Sequence, residues 1–100
     1  MVIYNVSIQL EPGIEEAWES WMKETHIPEV MGTGCFTEHK FCKILTENGH
    51  DGTTYVLQYH ARSMDDYEEY ARVHGPGLQQ KTKEKFGDKY LAFRSLMESV

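Results

Sequence analysis

The chain has 100 residues, 40% hydrophobic and 26% charged, with a formal net charge of −6. That length supports one small core, expected as one domain over 1–100, and the acidic balance argues against nucleic acid and anionic membrane surfaces as partners. Apolar runs of only a few residues exclude a helical membrane span, and nothing at the N-terminus reads as a secretory signal, so a cytoplasmic location is the expectation.

"VIYNVSIQL" (2–10) alternates, with Val2, Tyr4, Val6, Ile8 and Leu10 on one face and Asn5, Ser7 and Gln9 on the other. This is the signature of a strand with one apolar face. From Ile14 the period becomes helical: Ile14, Trp18, Trp21 and Met22 form one stripe, with Glu15, Glu16, Glu19 and Lys23 outside it. Pro28 disfavours helical geometry at Ile27 and lacks a donor, which predicts a break or kink near His26. His26 then has two readings. It caps the free carbonyls of a helix end, or it stands at the lip of a ligand site beside the irregular Gly32-Thr33-Gly34.

"CFTEHKFCKILT" (35–46) reads as a second strand, "ENGHDG" (47–52) as turn residues and "TTYVLQYHA" (53–61) as the returning strand of a hairpin. Cys35 and Cys42, seven residues apart on one strand, point to opposite faces and do not pair. Both are expected to stay reduced. Ser63 and Asp66 resemble a capping box that opens a second helix carrying Tyr67, Tyr70, Ala71 and His74. Gly75-Pro76-Gly77 is expected to interrupt that helix, with His74 capping its end, before Leu78 and Phe86 resume a helical pattern. "KYLAFRSLMES" (89–99) reads as the last strand. No internal repeat or linker stands out.

The order βαββαβ, with right-handed crossovers around a hairpin, predicts a ferredoxin-like α+β sandwich. It has a four-stranded antiparallel sheet of order 4-1-3-2, with two helices on one face. The alternation assigns Leu91, Phe93 and Met97 to the helix-covered face. The other face would then carry Asn5, Ser7, Val56, Gln58, His60, Tyr90, Ala92, Arg94 and Leu96. Either His39 or the set Glu38, Lys40 and Cys42 joins it from the second strand. A face this mixed suits a homodimer whose two sheets enclose a cavity, and Asn5, Ser7, Gln58, His60, Tyr90 and Arg94 are the candidate ligand-binding residues.

His60, placed beside Arg94 by that assignment, and His26 are the candidate acid/base groups. Arg94, always charged, would need a ligand anion if no acid reaches it. No histidine pair has helical metal spacing and no glycine-rich phosphate loop follows a strand, so neither a metal nor a cofactor is expected. RNA-recognition domains share the element order, but "DGTTYVLQY" has Asp51, Thr53 and Gln58 where that motif carries a base and aromatics. Glu11-Pro12-Gly13 is likewise unlike the anion loop of an acylphosphatase.

The combination "MVIYNVSIQL…W…WMKETHIPEVMGTGCF…Y…QY…KFGDKYLAFRSLM" resembles, over essentially the whole chain, a family of short bacterial proteins classed as a domain of unknown function. More remotely it is similar to the dimeric α+β barrel superfamily, some members of which carry a comparable His-x-Pro in the first helix. "HGPG" in the second helix departs from the family pattern. The resemblance implies a homodimer, and the expected function is binding of a small polar or anionic organic ligand between the two sheets. Two alternatives stand beside it: a cofactor-independent monooxygenase or isomerase, and a structural or regulatory dimerisation domain.

Overall fold

A computed structural model describes all residues except Glu47, Asn48 and His50. Within the predicted turn stretch 47–52, Asn48 of the first dipeptide and His50 therefore lie outside the described residues, while Gly49, Asp51 and Gly52 are described. Four strands, β1 (Val2–Leu10), β2 (Glu38–Lys43), β3 (Thr54–Ala61) and β4 (Tyr90–Glu98), form an antiparallel sheet of order β2-β3-β1-β4. This is the predicted order read from the other edge. The fold is the ferredoxin-like α+β sandwich.

The alternation of β1 controls the packing. Tyr4, Val6, Ile8 and Leu10 are buried under the helices together with Tyr55, Leu57, Tyr59 and Ala61 of β3. β2 is shorter than expected. Cys35 and Phe36 precede it and are buried in the core, while Cys42 lies exposed on the strand; both are free thiols.

Neither Pro28 nor Pro76 ends its helix: the irregularity expected near His26 is a π-helical turn and not a break, and Gly75-Pro76-Gly77 does not interrupt the second run. The first helical run comprises α1 (Glu15–Trp21), a π-helical turn (Met22–His26) and α2 (Ile27–Gly32). The second comprises α3 (Met64–Glu69), a π-helical turn (Tyr70–His74) and α4 (Gly75–Phe86). A proline inside an α-helix removes one hydrogen bond and clashes with the carbonyl four residues back. Widening the turn by one residue removes the conflict. Ile27 N–H donates to the Met22 carbonyl and Gly75 N–H to the Tyr70 carbonyl, each five residues back. His26 and His74 therefore sit within helical runs and cap no helix end.

The two runs also correct the absence of a repeat. Met22/Tyr70, His26/His74, Ile27/Gly75, Pro28/Pro76 and Val30/Leu78 stand at a constant offset of 48 residues. In both runs the buried positions are spaced five and then three: Met22, Ile27, Val30 and Tyr70, Gly75, Leu78. Ser63 caps α3 as predicted, its hydroxyl accepting from Asp66 N–H at 3.3 Å. Lys81 and Glu29, 2.8 Å apart, join α4 to α2.

Candidate functional site

The register fixes the faces of the sheet. Val6 pairs with Arg94, Ile8 with Ala92 and Leu10 with Tyr90, so Tyr90, Ala92, Arg94 and Leu96 belong to the helix side. Leu91, Phe93 and Met97 lie on the open side, the reverse of the expected assignment. Strand periodicity defines two alternating sets, and only pairing with β1 says which set faces the helices. For β2 the choice is Glu38, Lys40 and Cys42 on the open side, opposite His60, Gln58 and Val56.

The six candidate ligand-binding residues therefore separate. Asn5, Ser7, Gln58 and His60 share the open face, where Gln58 Nε2 donates to Asn5 Oδ1 at 3.2 Å and His60 Nδ1 lies 3.1 Å from Glu38 Oε1. Tyr90 and Arg94 are on the other side of the sheet and never meet His60. They line a cavity of about 50 Å³ between the sheet and both helical runs, together with His26. The cavity floor is Val6, Ile8 and Leu57, and Met22 closes it from the first run. Its outer end opens to a surface depression between α4 and β4, shared by Gln79, Tyr90, Ala92 and Arg94.

The π turns place three of the lining side chains. Met22 and His26 come from the first turn and Tyr70 from the second. The His26 ring stacks on Trp21, with centroids 5.3 Å apart, and burial is the main cause that holds its pKa down to about 4. Glu29 opposes that shift and Arg94 reinforces it. The imidazole facing the cavity is therefore neutral at neutral pH.

Polar groups converge from the other walls. Arg94 Nε donates to Tyr4 Oη at 3.1 Å. Burial raises the Tyr4 pKa, with Arg94 working against it, and burial also raises those of Tyr59 and Tyr70. Trp18, 1% exposed, and Tyr59, 2% exposed, both line the cavity. Trp18 Nε1 and Tyr59 Oη are buried without a hydrogen-bond partner among the described residues. A buried unpaired donor costs roughly 1–3 kcal/mol, so two on one small cavity is an unusual concentration. None of the described residues lining the cavity is acidic, and Arg94 has no carboxylate partner among the described residues.

In the sequence Tyr4 stands on an apolar strand face, Trp18 on a helical stripe, Tyr59 in the returning strand and Tyr70 in a helical pattern, with no sign of a polar role. They are core, but they also supply polar atoms to the cavity. The available signal was the number of hydroxyl-bearing rings on buried stripes, because each buried tyrosine needs a partner for its hydroxyl. The described residues hold no group of three or more His, Cys, Asp or Glu side chains placed to bind a metal.

A ferredoxin-like α+β sandwich with a small internal pocket between sheet and helices is the class that fold and cavity define. The chain belongs to the family described as "Domain of unknown function (DUF4286)", whose model matches residues 1–100. No curated protein matches it.

Among solved structures it is similar to an ethyl tert-butyl ether d (ethd) family protein from Bacillus halodurans, with 14% identity, all of both chains covered and a TM-score of 0.76. HapK from Hahella chejuensis is 10% identical, with 100% of this chain and 93% of that one covered and a TM-score of 0.75. SnoaB, a cofactor-independent oxygenase from Streptomyces nogalater, is 14% identical, with 99% and 92% covered and a TM-score of 0.70. At these identities the likeness is one of fold.

Proposed function

We propose that this protein binds a small polar organic molecule in the cavity between its sheet and helices. The carrying observation is the pair of buried donors without a partner among the described residues, Trp18 Nε1 from α1 and Tyr59 Oη from β3, on side chains that line the cavity. A ligand oxygen accepting from either recovers the cost of leaving it unpaired. The space suits a small molecule, since about 50 Å³ accommodates roughly four waters. Ala92, on the edge strand, is the residue through which the cavity can be closed. A fragment screen by ligand-observed NMR should find binders to the wild type that Ala92→Phe no longer binds. Fragments that bind both proteins alike would place the ligand elsewhere.

The enzymatic reading has one specific observation behind it. His26 presents a neutral imidazole to the cavity and is therefore available as a base. The similarity in fold to a protein named as a cofactor-independent oxygenase agrees with that reading. Oxygen uptake on adding an enolisable phenol or ketone, lost in His26→Phe, is its test.

The open face has a different role in this proposal. Leu91 and Phe93 are 60% and 55% exposed on the same face as Met97; Ile3 pairs with Met97, and Val56 lies beyond Ser7, which pairs with Phe93. A second copy packed face to face would cover this patch, making the protein a homodimer. Sedimentation should give a dimer for the wild type at micromolar concentration and a monomer for Phe93→Lys. A monomeric wild type removes the dimer from the proposal and leaves the cavity untouched.

A further inference from the structure

We infer that the cavity's ligand is a small carboxylic acid, its carboxylate held by Arg94 and the neighbouring tyrosine hydroxyls and its apolar body lying on the aliphatic floor. The inference rests on the cavity being the ligand site and goes further by assigning the ligand's charge and orientation. The first support is the state of Arg94. Its Nε–H is used on Tyr4 Oη, which leaves the two terminal NH2 groups of the guanidinium. No carboxylate among the described residues reaches them. Lys83, the other cation of the outer depression, is already paired with Asp88 at 2.7 Å.

The second support is the polarity of the lining. Tyr4 Oη accepts from Arg94, so its own proton is free to be donated elsewhere. Tyr59 Oη has no partner among the described residues, and each of the Tyr4 and Tyr70 hydroxyls acts electrostatically on it. With their pKa values raised, all three phenols stay protonated and act as donors. Trp18 Nε1 only donates. The wall is thus rich in donors around one guanidinium, with no acidic side chain among its described residues. A cationic ligand would meet repulsion from Arg94. A neutral ligand would satisfy the hydroxyls but draw nothing from the guanidinium of Arg94, which is exposed and stays hydrated. A planar carboxylate satisfies both, matching the fork of an arginine with two oxygens.

The third support is size and apolarity. Val6, Ile8, Leu57 and Met22 offer no hydrogen bonds, and the enclosed space is too small for a nucleotide or a sugar phosphate. The ligand class is therefore a short aliphatic or single-ring acid.

The test compares shape-matched pairs: butyrate with butyramide, and benzoate with benzamide. Binding is followed by ligand-observed NMR and by the fluorescence of Trp18 and Trp21. At least one acid should saturate the protein and bind about tenfold or more tightly than its amide. Ala92→Phe should abolish that binding. Arg94→Gln should erase the preference for the acid while the protein keeps its circular dichroism and its cooperative unfolding. Amides that bind as well as the acids, in competition for the cavity, overturn the carboxylate assignment and leave the cavity as a ligand site. An acid preference that survives in Arg94→Gln overturns it too, because the charge is then read elsewhere. If neither member of either pair saturates, and a fragment screen also finds no binder sensitive to Ala92→Phe, both the inference and the reading beneath it fail.

Discussion

A Gly52→Ala variant is expected to lose roughly 3 kcal/mol or more of stability, through a single added carbon. Gly52 needs no unusual dihedral. Its constraint is close approach: a Cβ there would overlap the Leu10 carbonyl oxygen and lie 2.8 Å from the Leu10 carbonyl carbon and 3.2 Å from that of Glu11. All three are backbone atoms, so no rotamer relieves the collision. The end of β1 and the start of β3 would have to separate where Leu10 N–H donates to the Thr53 carbonyl at 2.9 Å. Leu10 is fully buried at that point, so the shift would also disturb the core. Gly77 is the control. It lies in α4 with nothing within 4 Å of an added Cβ, so Gly77→Ala should gain up to about 1 kcal/mol from helix propensity. Urea unfolding of both variants checks the pair, and equal midpoints would contradict the close-approach argument.

Acid should weaken the protein from about pH 6.5 downwards, because His26 is half-buried in its neutral form. Its pKa falls from 6.5 to about 4 on folding, chiefly through burial. Between those values the unfolded chain binds more protons at this site than the native one, so stability rises with pH across the window. The contribution is fully present above about pH 6.5 and is lost as pH falls towards 4. It amounts to roughly 2–3 kcal/mol. Glu19 acts from the acid end of that window downwards. Its carboxyl is held low, first by the 2.6 Å hydrogen bond donated by Tyr55 Oη and then by Lys23. A depressed carboxylate contributes above its ordinary pKa of 4.5 and loses that contribution as pH falls further. His26→Phe keeps a ring against Trp21 and removes the titration. Urea midpoints measured through the window should fall less steeply for the variant; parallel slopes would mean that His26 is not the group responsible.

Much of the fold was legible because it depends on local periodicity. The alternation from Val2 to Leu10, the Trp18–Met22 stripe and the Ser63 cap were sufficient to give the element order, and with it the sheet order. Two features were not legible. A proline in a helical pattern reads as a break, and nothing in "HIPEV" or "HGPG" shows that a turn can widen by one residue and continue. In β4 both alternating sets contain apolar residues, and the more apolar one, Leu91, Phe93 and Met97, proved to be on the open side. The cavity needs the other set, which combines the small Ala92 with Tyr90 and Arg94. Of the candidate site, His26, Tyr90 and Arg94 meet at the cavity, whereas Asn5, Ser7, Gln58 and His60 do not. The residues missed were hidden by their burial. Trp18, Tyr59 and Tyr70 match a core stripe in every respect except a polar atom that burial leaves to be satisfied.

The matched π turns also fix the phase of each helical run. A helical residue advances about 100° around the axis, so one surplus residue in an ordinary α-helix would turn everything downstream by that amount, and the wider π turn absorbs it. In the first run the surplus aligns Ile27 and Val30 with Trp18 and Met22, and in the second it aligns Gly75 and Leu78 with Tyr70. Deleting a single exposed residue such as Lys23 would shorten the Met22-to-Ile27 spacing from five to four, the ordinary helical interval. The run would close into an α-helix with Ile27 and Val30 still turned to the sheet, but Pro28 would come back against the carbonyl that the wider turn avoids. Lengthening or shortening these helices by one residue is thus a different operation from substituting within them, and the 48-residue echo places the same restriction on both halves of the chain.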